Sequence, residues 1–229
     1  MSEEKKRMYE ENRKSINFFV GCLHNCLYCV PSFQRQMKRQ KCPQCKTYTP
    51  HPHLERLKKP PPKTKGDEFI FFPSSSDWAF IPKQIGEEAI AYMEKYSDRK
   101  FLCQTKDPRC FARWKFPENA ILAITLETNF ATLTREISKA PDPVERLIAF
   151  QNYPHKSKIV TIEPILEFDA LLIKWLKLIN PKPIIYIGYD NHNCKLAEPE
   201  FWRVIDLIET LETKGFEVRR KTLRRAWYE

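Results

Sequence analysis

Six short apolar runs recur along the chain, each ending in polar residues. They are residues 16–20 (INFFV), 69–72 (FIFF), 101–105 (FLCQT), 121–126 (ILAITL), 158–162 (KIVTI) and 183–188 (PIIYIG). Their length and their β-branched and aromatic content predict strands. Between them, apolar residues return at helical spacing. Ile85, Ala89, Tyr92, Met93 and Tyr96 line one face of residues 82–97. Leu171, Leu172, Trp175, Leu176 and Ile179 line a second helix, with Asp169 placed to cap its start. Phe201, Val204, Ile205, Ile208 and Leu211 line a third, which Gly215 is placed to end. Near-continuous apolar strands alternating with helices predict an α/β fold with a parallel sheet covered by helices.

About six β/α units fit this chain. A closed eight-unit barrel needs ~250 residues, more than the 229 present. A partial (β/α)6 TIM-like barrel is therefore the expected architecture, with a doubly wound sheet as the alternative. Residues 1–229 read as a single unit. Residues 30–66, rich in Cys and His and then in Pro and Lys, read as an insertion after the first strand. Polar residues cluster just after each apolar run: Ser74, Ser75, Ser76 and Asp77; Thr105, Lys106 and Asp107; Glu127, Thr128 and Asn129; Glu163; Tyr189, Asp190 and Asn191. In parallel β/α folds the C-terminal strand ends share one mouth, so these clusters predict a common site there.

Composition narrows the function classes. No apolar run approaches twenty residues, which argues against a membrane span. The opening stretch, MSEEKKRMYEENRK, is charged and lacks the apolar core of a signal peptide. A cytoplasmic location is expected, where eight cysteines are ligands or buried thiols rather than a disulfide framework. Only five glycines occur, and they are scattered, which excludes GxGxxG and Walker loops. The net charge of +10 favours polyanionic partners.

Five of the eight cysteines fall between Cys22 and Cys45. Two metal readings compete for them. Pairing Cys26 and Cys29 with Cys42 and Cys45 gives C-x2-C-x12-C-x2-C, close to zinc-ribbon spacing. That reading implies a nucleic-acid-binding protein without catalysis and leaves Cys22 unused. The other takes Cys22, Cys26 and Cys29 as a C-x3-C-x2-C triad on a [4Fe–4S] cluster, leaving one iron open to a ligand such as S-adenosylmethionine. Cys42, Cys45, His51 and His53 then form a separate candidate zinc site.

The loop GCLHNCLYC, set in a chain of β/α units, resembles the radical S-adenosylmethionine superfamily. More narrowly the chain is similar to a three-cysteine-motif branch of it found in archaea, bacteria and phages, through CPQCKTYTPHPHLERL, FFPSSSDWAF, LCQTKDP, ITLETN and TIEPILEFDALL. The resemblance implies that Cys22, Cys26 and Cys29 hold the cluster and that Tyr28 contacts the adenine. It implies cofactor contacts from Thr105, Glu127 and Glu163, and Lys106 near the methionine carboxylate or the substrate. Where the superfamily carries a Gly-Gly-Glu-type motif for the methionine amine, this chain has PSSSD, so Ser74, Ser75, Ser76 and Asp77 would substitute for it. The implied activity is reductive cleavage of S-adenosylmethionine to a 5′-deoxyadenosyl radical that abstracts hydrogen from substrate. It calls for an electron donor such as ferredoxin or flavodoxin, and nucleic acid or a nucleotide is the substrate class the charge favours. A scaffold that binds the cofactor but needs a partner protein for turnover is a third reading.

Three cysteines remain. Cys103 sits within an apolar strand and should be a buried small hydrophobe. Cys194 follows the sixth strand and is a candidate hydrogen donor to a product radical. Cys110 carries no assignment. The tail EVRRKTLRRAWYE holds five basic residues with Trp227 and Tyr228. It reads as a last strand with basic outward faces, or as a surface that tracks phosphates and stacks bases.

Overall fold

The computed structural model describes residues 8–229. The first half of the charged N-terminal stretch, residues 1–7, lies outside the described residues. Seven strands form one sheet: β1 (Asn12–Ser15), β2 (Phe69–Phe71), β3 (Phe101–Thr105), β4 (Ala120–Thr125), β5 (Lys158–Ile162), β6 (Ile184–Ile187) and β7 (Val218–Arg220). They lie in chain order and every neighbouring pair is parallel. A doubly wound sheet reverses its strand order near the middle, and no reversal occurs here. The sheet instead curls in one direction into a partial barrel, with β1 and β7 as its edges among the described residues.

Alternation along the strands makes the two faces. Ile70, Phe101, Cys103, Leu122, Ile124, Val160, Ile162, Ile185 and Ile187 point outward into the large core. Helices α1 (Lys83–Lys95), α2 (Ala131–Ile137), α3 (Pro143–Gln151), α4 (Leu171–Leu178) and α5 (Phe201–Thr213) lie along the chain between the later strands. Ala89 and Met93 from α1, Leu147 and Phe150 from α3, Leu172 and Leu176 from α4, and Val204, Ile208 and Leu211 from α5 cover the outward face. Cys103 is fully buried there, with its thiol 3.9 Å from Met93 Sδ. Phe69, Phe71, Leu102, Ala123, Ile159 and Tyr186 point inward around Tyr9. The Tyr9 hydroxyl shares hydrogen bonds with Gln104 Oε1 (2.8 Å) and Thr161 Oγ1 (2.7 Å), so it reaches two strands that are not neighbours.

Helix ends follow the expected chemistry with small shifts. Asp169 lies one residue before Ala170, the N-cap of α4, and its carboxylate accepts the Leu171 amide at 2.8 Å. Gly215, at φ +75°, ends α5, and Phe216 N–H donates to Leu211 O at 3.0 Å. Helix α3 was not foreseen, although Asp142, Pro143 and Glu145 form a capping box at its start.

The first strand is displaced from its expected position. The apolar run 16–20 is not in the large sheet. The polar segment NRKS forms β1 instead, as an edge strand with both ends half-buried. Phe18 turns into the outer core, 4.4 Å from the Phe72 ring. Phe19–Val20 pairs antiparallel with His51–Pro52 in a separate two-stranded ribbon. The connection from β1 to β2 carries residues 30–66, and its only α-helical pieces are Arg35–Met37 and Pro43–Thr47. The tail supplies a seventh strand, β7, not counted among the six apolar runs. No helix of the described residues is long and apolar enough to cross a membrane.

Candidate functional site: the cysteine loop at the barrel mouth

The C-terminal strand ends open onto a cavity of about 1080 Å³. Cys22, Cys26, Tyr28 and Cys29 line one side of it. Ser74, Ser76 and Asp77 after β2, Lys106 after β3, Glu163 after β5 and Asp190 after β6 complete the mouth. All eight cysteines of the chain are free of disulfides.

The cysteine loop is held by the serine turn. Gly21 has φ +101°, and its N–H donates to Ser75 O at 2.9 Å. Ser76 Oγ donates back to Gly21 O at 2.6 Å. Asn17 Oδ1 accepts from the Ser74 and Ser75 amides (2.8 and 2.9 Å) and from Ser74 Oγ (3.1 Å). Asn25 adopts a left-handed conformation, and Cys29 N–H then closes a turn onto Cys26 O at 3.0 Å.

Asp77 is the hub behind this turn. Its carboxylate accepts from Ala79 N (2.8 Å), Thr105 Oγ1 (2.5 Å) and Lys106 N (2.7 Å). His24 Nε2 approaches it at 3.3 Å, an ion-pair distance rather than an aligned hydrogen bond. Burial raises the Asp77 carboxyl, but His24, Thr105 and the amides outweigh it and hold it below the ordinary value. His24, within the cysteine loop, is thereby tied to the end of β3.

The three thiols are close enough to perturb one another. The Cys26 thiol is lowered to about 6, first by a hydrogen bond from Cys29 and against the cost of burial. Cys29, as the donor of that bond, is pushed up, and burial with Asp77 raises Cys22. Cys26 is buried and Cys22 and Cys29 are half-buried, and three sulfur donors on one wall favour a positively charged centre beside them.

A second buried cluster lies behind Tyr28. Glu127 is fully buried and accepts from Lys106 Nζ (2.6 Å), Arg146 Nη1 (2.7 Å) and the Tyr28 hydroxyl. Lys106 Nζ also donates to Tyr28 at 2.5 Å and sits 5.1 Å from the centre of its ring. Burial alone would raise the Glu127 carboxyl. Lys106 and Arg146 overcome it and hold it well below the carboxylate range.

The sequence-derived site residues thus divide. Cys22, Cys26, Cys29, Tyr28, Ser74, Ser76, Asp77, Lys106 and Glu163 are on the cavity wall. Ser75, Thr105, Glu127 and Cys194 are not among its lining residues. Thr105 is spent on Asp77. Ser75 offers its backbone, not its hydroxyl, to the cysteine loop. Glu127 is covered by Tyr28 and Lys106, so its carboxylate braces two wall residues. Cys194 packs with Ile137, Leu166, Leu196 and Tyr28, and burial, then Asp190, pushes its thiol up to about 12. Glu163 pairs with Lys221; burial still leaves its carboxyl raised.

Cys42 and Cys45 gather with His51 and His53, the four donor atoms lying within 4.8 Å of one another. Among the described residues this group does not include Cys26 or Cys29. The zinc-ribbon pairing of the four cysteines is therefore not formed, because the ribbon of Phe19–Val20 with His51–Pro52 delivers the two histidines to Cys42 and Cys45 instead.

Sequence reasoning missed Asn17, His24, Arg146 and Tyr48. Arg146 had a legible signal, a cation on the apolar face that Leu147 and Phe150 define on α3. His24 and Asn17 had none beyond their nearness to the cysteines. The tail is a strand, as its basic pattern allows. Arg219 pairs with Glu11, Asp67 and Glu217, and Arg224 with Glu198. Trp227 and Tyr228 are tied to the backbone carbonyls of Leu196 and Glu198.

A partial parallel barrel with a three-cysteine loop at its mouth defines the class to which solved structures can be compared. A variant of spore photoproduct lyase with bound AdoMet and dinucleoside spore photoproduct matches with a TM-score of 0.56 and 13% identity, over 84% of this chain and 59% of that one. Spore photoproduct lyase complexed with dinucleoside spore photoproduct matches with a TM-score of 0.54 and 13% identity, over 77% and 56%. This chain spans less than two thirds of the length of either. The likeness is one of fold, a partial parallel barrel of the kind expected from the β/α alternation. No family profile and no curated protein matches the sequence.

Proposed function

We propose that the protein is a radical S-adenosylmethionine enzyme acting on nucleic acid or a nucleotide. The observation that carries this reading is the convergence of Cys22, Cys26 and Cys29 on one side of a cavity at the C-terminal mouth of a parallel partial barrel. Three free thiols without a fourth cysteine on the wall suit a four-iron cluster with one open iron. When bound, the cluster and S-adenosylmethionine supply a one-electron cleavage that yields a 5′-deoxyadenosyl radical.

The chain's own residues support binding and orientation. Ser74 and Ser76 commit their hydroxyl hydrogens to Asn17 and Gly21, which leaves oxygen lone pairs for an ammonium group at the wall. Asp77 spends its oxygens on Thr105, His24 and two amides, so it sets the loop rather than contacting a ligand directly. Lys106, neutralised by Glu127, offers its remaining hydrogen-bonding capacity beside Tyr28. A ligand pocket commonly measures ~300–1000 Å³, so about 1080 Å³ leaves room for a cofactor and part of a substrate.

Charge distribution supports the substrate class. Residues 30–66 contain ten Lys or Arg and one Glu, a net +9 out of the chain's +10. The cavity wall itself is balanced, with Lys106, Arg219, Arg220 and Lys221 against Glu10, Glu11, Asp77, Glu163 and Asp190. Polyanion capture therefore falls to the segment beside the mouth. Reduction would come from an external one-electron donor of the ferredoxin or flavodoxin type, in the cytoplasm.

The test is anaerobic reconstitution. About four irons per chain and 5′-deoxyadenosine on reduction with S-adenosylmethionine are expected, with deuterium appearing in that 5′-deoxyadenosine when a deuterated DNA or RNA pool is supplied. Less than one iron per chain, or iron retained after Cys22→Ala with Cys26→Ala, would refute the assignment.

A further inference from the structure

We infer that Cys42, Cys45, His51 and His53 bind one zinc ion, and that this ion braces the wall of the cysteine cavity. The donors already stand at coordinating separations. His51 Nε2 is 3.4 Å from both Cys42 Sγ and Cys45 Sγ, and His53 Nε2 is 3.2 Å from Cys45 Sγ. A tetrahedron built with zinc–sulfur bonds of ~2.3 Å and zinc–nitrogen bonds of ~2.0–2.1 Å has edges of about 3.3–3.8 Å. Four donors around one point suit a single ion. A two-iron cluster would spread them over two metals.

The outer partners are those of metal-bound histidines. His51 Nδ1 is 2.7 Å from Thr49 O, and His53 Nδ1 is 3.0 Å from Glu55 Oε1. Each contact fixes the proton on Nδ1 and leaves Nε2 as the free lone pair facing the thiols.

This segment has little else to fold around. Its local apolar cluster has only Val20, Met37 and Cys45 buried, with Cys42 and Tyr48 beside them. Residues 30–66 carry +9 and strongly repel themselves. A core this small is the situation in which a structural metal takes over the stabilising role.

The path from this site to the cavity is short. Val20 pairs with His51 across the ribbon, and Cys22 follows two residues later. Tyr48, at φ +57° between Cys45 and His51, lines the same cavity as the three thiols. The backbone of Thr49 and Pro50 runs so close to Gly21 that a Cβ there would lie 2.4–2.5 Å from it. The zinc knuckle and the cysteine loop are thus in van der Waals contact through backbone, with no flexible side chain between them.

The experiment uses aerobically purified full-length chain, free of iron. One zinc per chain by elemental analysis is expected, with X-ray absorption giving two sulfur neighbours at ~2.3 Å and two nitrogen neighbours at ~2.0–2.1 Å. Cys45→Ser with His51→Ala should lose the zinc. Hydrogen exchange at the Gly21 and Cys29 amides should then accelerate by about tenfold or more. If that variant does not fold, a chromogenic chelator added to the folded wild type releases and counts the metal, and the same exchange is read. Absence of zinc, zinc retained by the double variant, or unchanged exchange after full zinc release would each overturn the proposal. Because no iron is present, its outcome is separate from that of the cluster assignment.

Discussion

Replacing Glu127 with Gln tests the buried cluster behind Tyr28. The carboxylate is fully buried and neutralises two cations, Lys106 at 2.6 Å and Arg146 at 2.7 Å. Arg146 is itself fully buried and has no solvent to turn to. Removing one partner of a buried ion pair costs about 3–5 kcal/mol, because the other charge is left uncompensated. The carboxamide keeps one acceptor, so the lower end, about 3 kcal/mol, is expected. With a urea m-value of about 3 kcal/mol/M for a chain of this size, the midpoint should fall by about 1 M. The pH dependence gives an independent check. Glu127 is lower in the folded than in the unfolded state, so its contribution is full above the ordinary carboxylate pKa of about 4.3. That contribution drains away as pH falls toward the depressed folded value. The gap between wild type and variant should therefore be widest at neutral pH and narrow on acidification. A gap under about 1 kcal/mol at pH 7, or one that widens in acid, would refute the reasoning. The triple variant Glu127→Leu, Lys106→Met, Arg146→Met should recover most of the loss, since apolar replacement of a whole buried ion cluster is often near neutral.

Other substitutions probe the loop. Asn17→Ala orphans the Ser74 and Ser75 amides and should cost about 1–3 kcal/mol in urea denaturation, with lower iron content after reconstitution. Gly21→Ala forces a Cβ into the Thr49–Pro50 backbone at φ +101°, so at least about 1–3 kcal/mol of strain should appear in the melting curve together with reduced cluster uptake. Cys22→Ala should abolish the cluster's absorbance while leaving zinc content untouched, measured on the same sample. Replacing exposed Lys38, Arg39 and Lys41 with Gln should lower the slope of log affinity against log salt for a DNA or RNA oligomer by up to about 0.9 per side chain, read by anisotropy.

The strands that bury both faces were legible as apolar runs, and β3 and β5 match theirs residue for residue. Edge strands were not. β1 and β7 are polar because they are the edges of the sheet among the described residues, so NRKS and VRR carry no apolar signature. Conversely INFFV looks like a core strand because Phe18 and Phe19 are buried, yet their burial is against the outer core and the ribbon rather than within the large sheet. The three-cysteine spacing announced the site, and strand-end chemistry found Ser74, Ser76, Asp77, Lys106 and Glu163. It could not separate wall residues from braces. Thr105 and Lys106 are adjacent in sequence, yet the Thr105 hydroxyl is spent on Asp77 while the Lys106 side chain lines the cavity. The split between Glu127 and Glu163 depends on Arg146, which arrives from a helix about twenty residues away in sequence.

Tyr9 has a consequence for the width of the whole site. A closed barrel fixes its radius by the count and stagger of its strands. This sheet stops short of closure, so nothing in its hydrogen bonding dictates how tightly it must curl. The Tyr9 ring packs edge-on to Phe69, Phe71 and Tyr186, and its hydroxyl ties Gln104 to Thr161. It works as a keystone set into the concave side of an arch. A side chain that precedes the first strand thus ties β3 to β5 across β4, and so holds the curvature on which the gauge of the mouth depends.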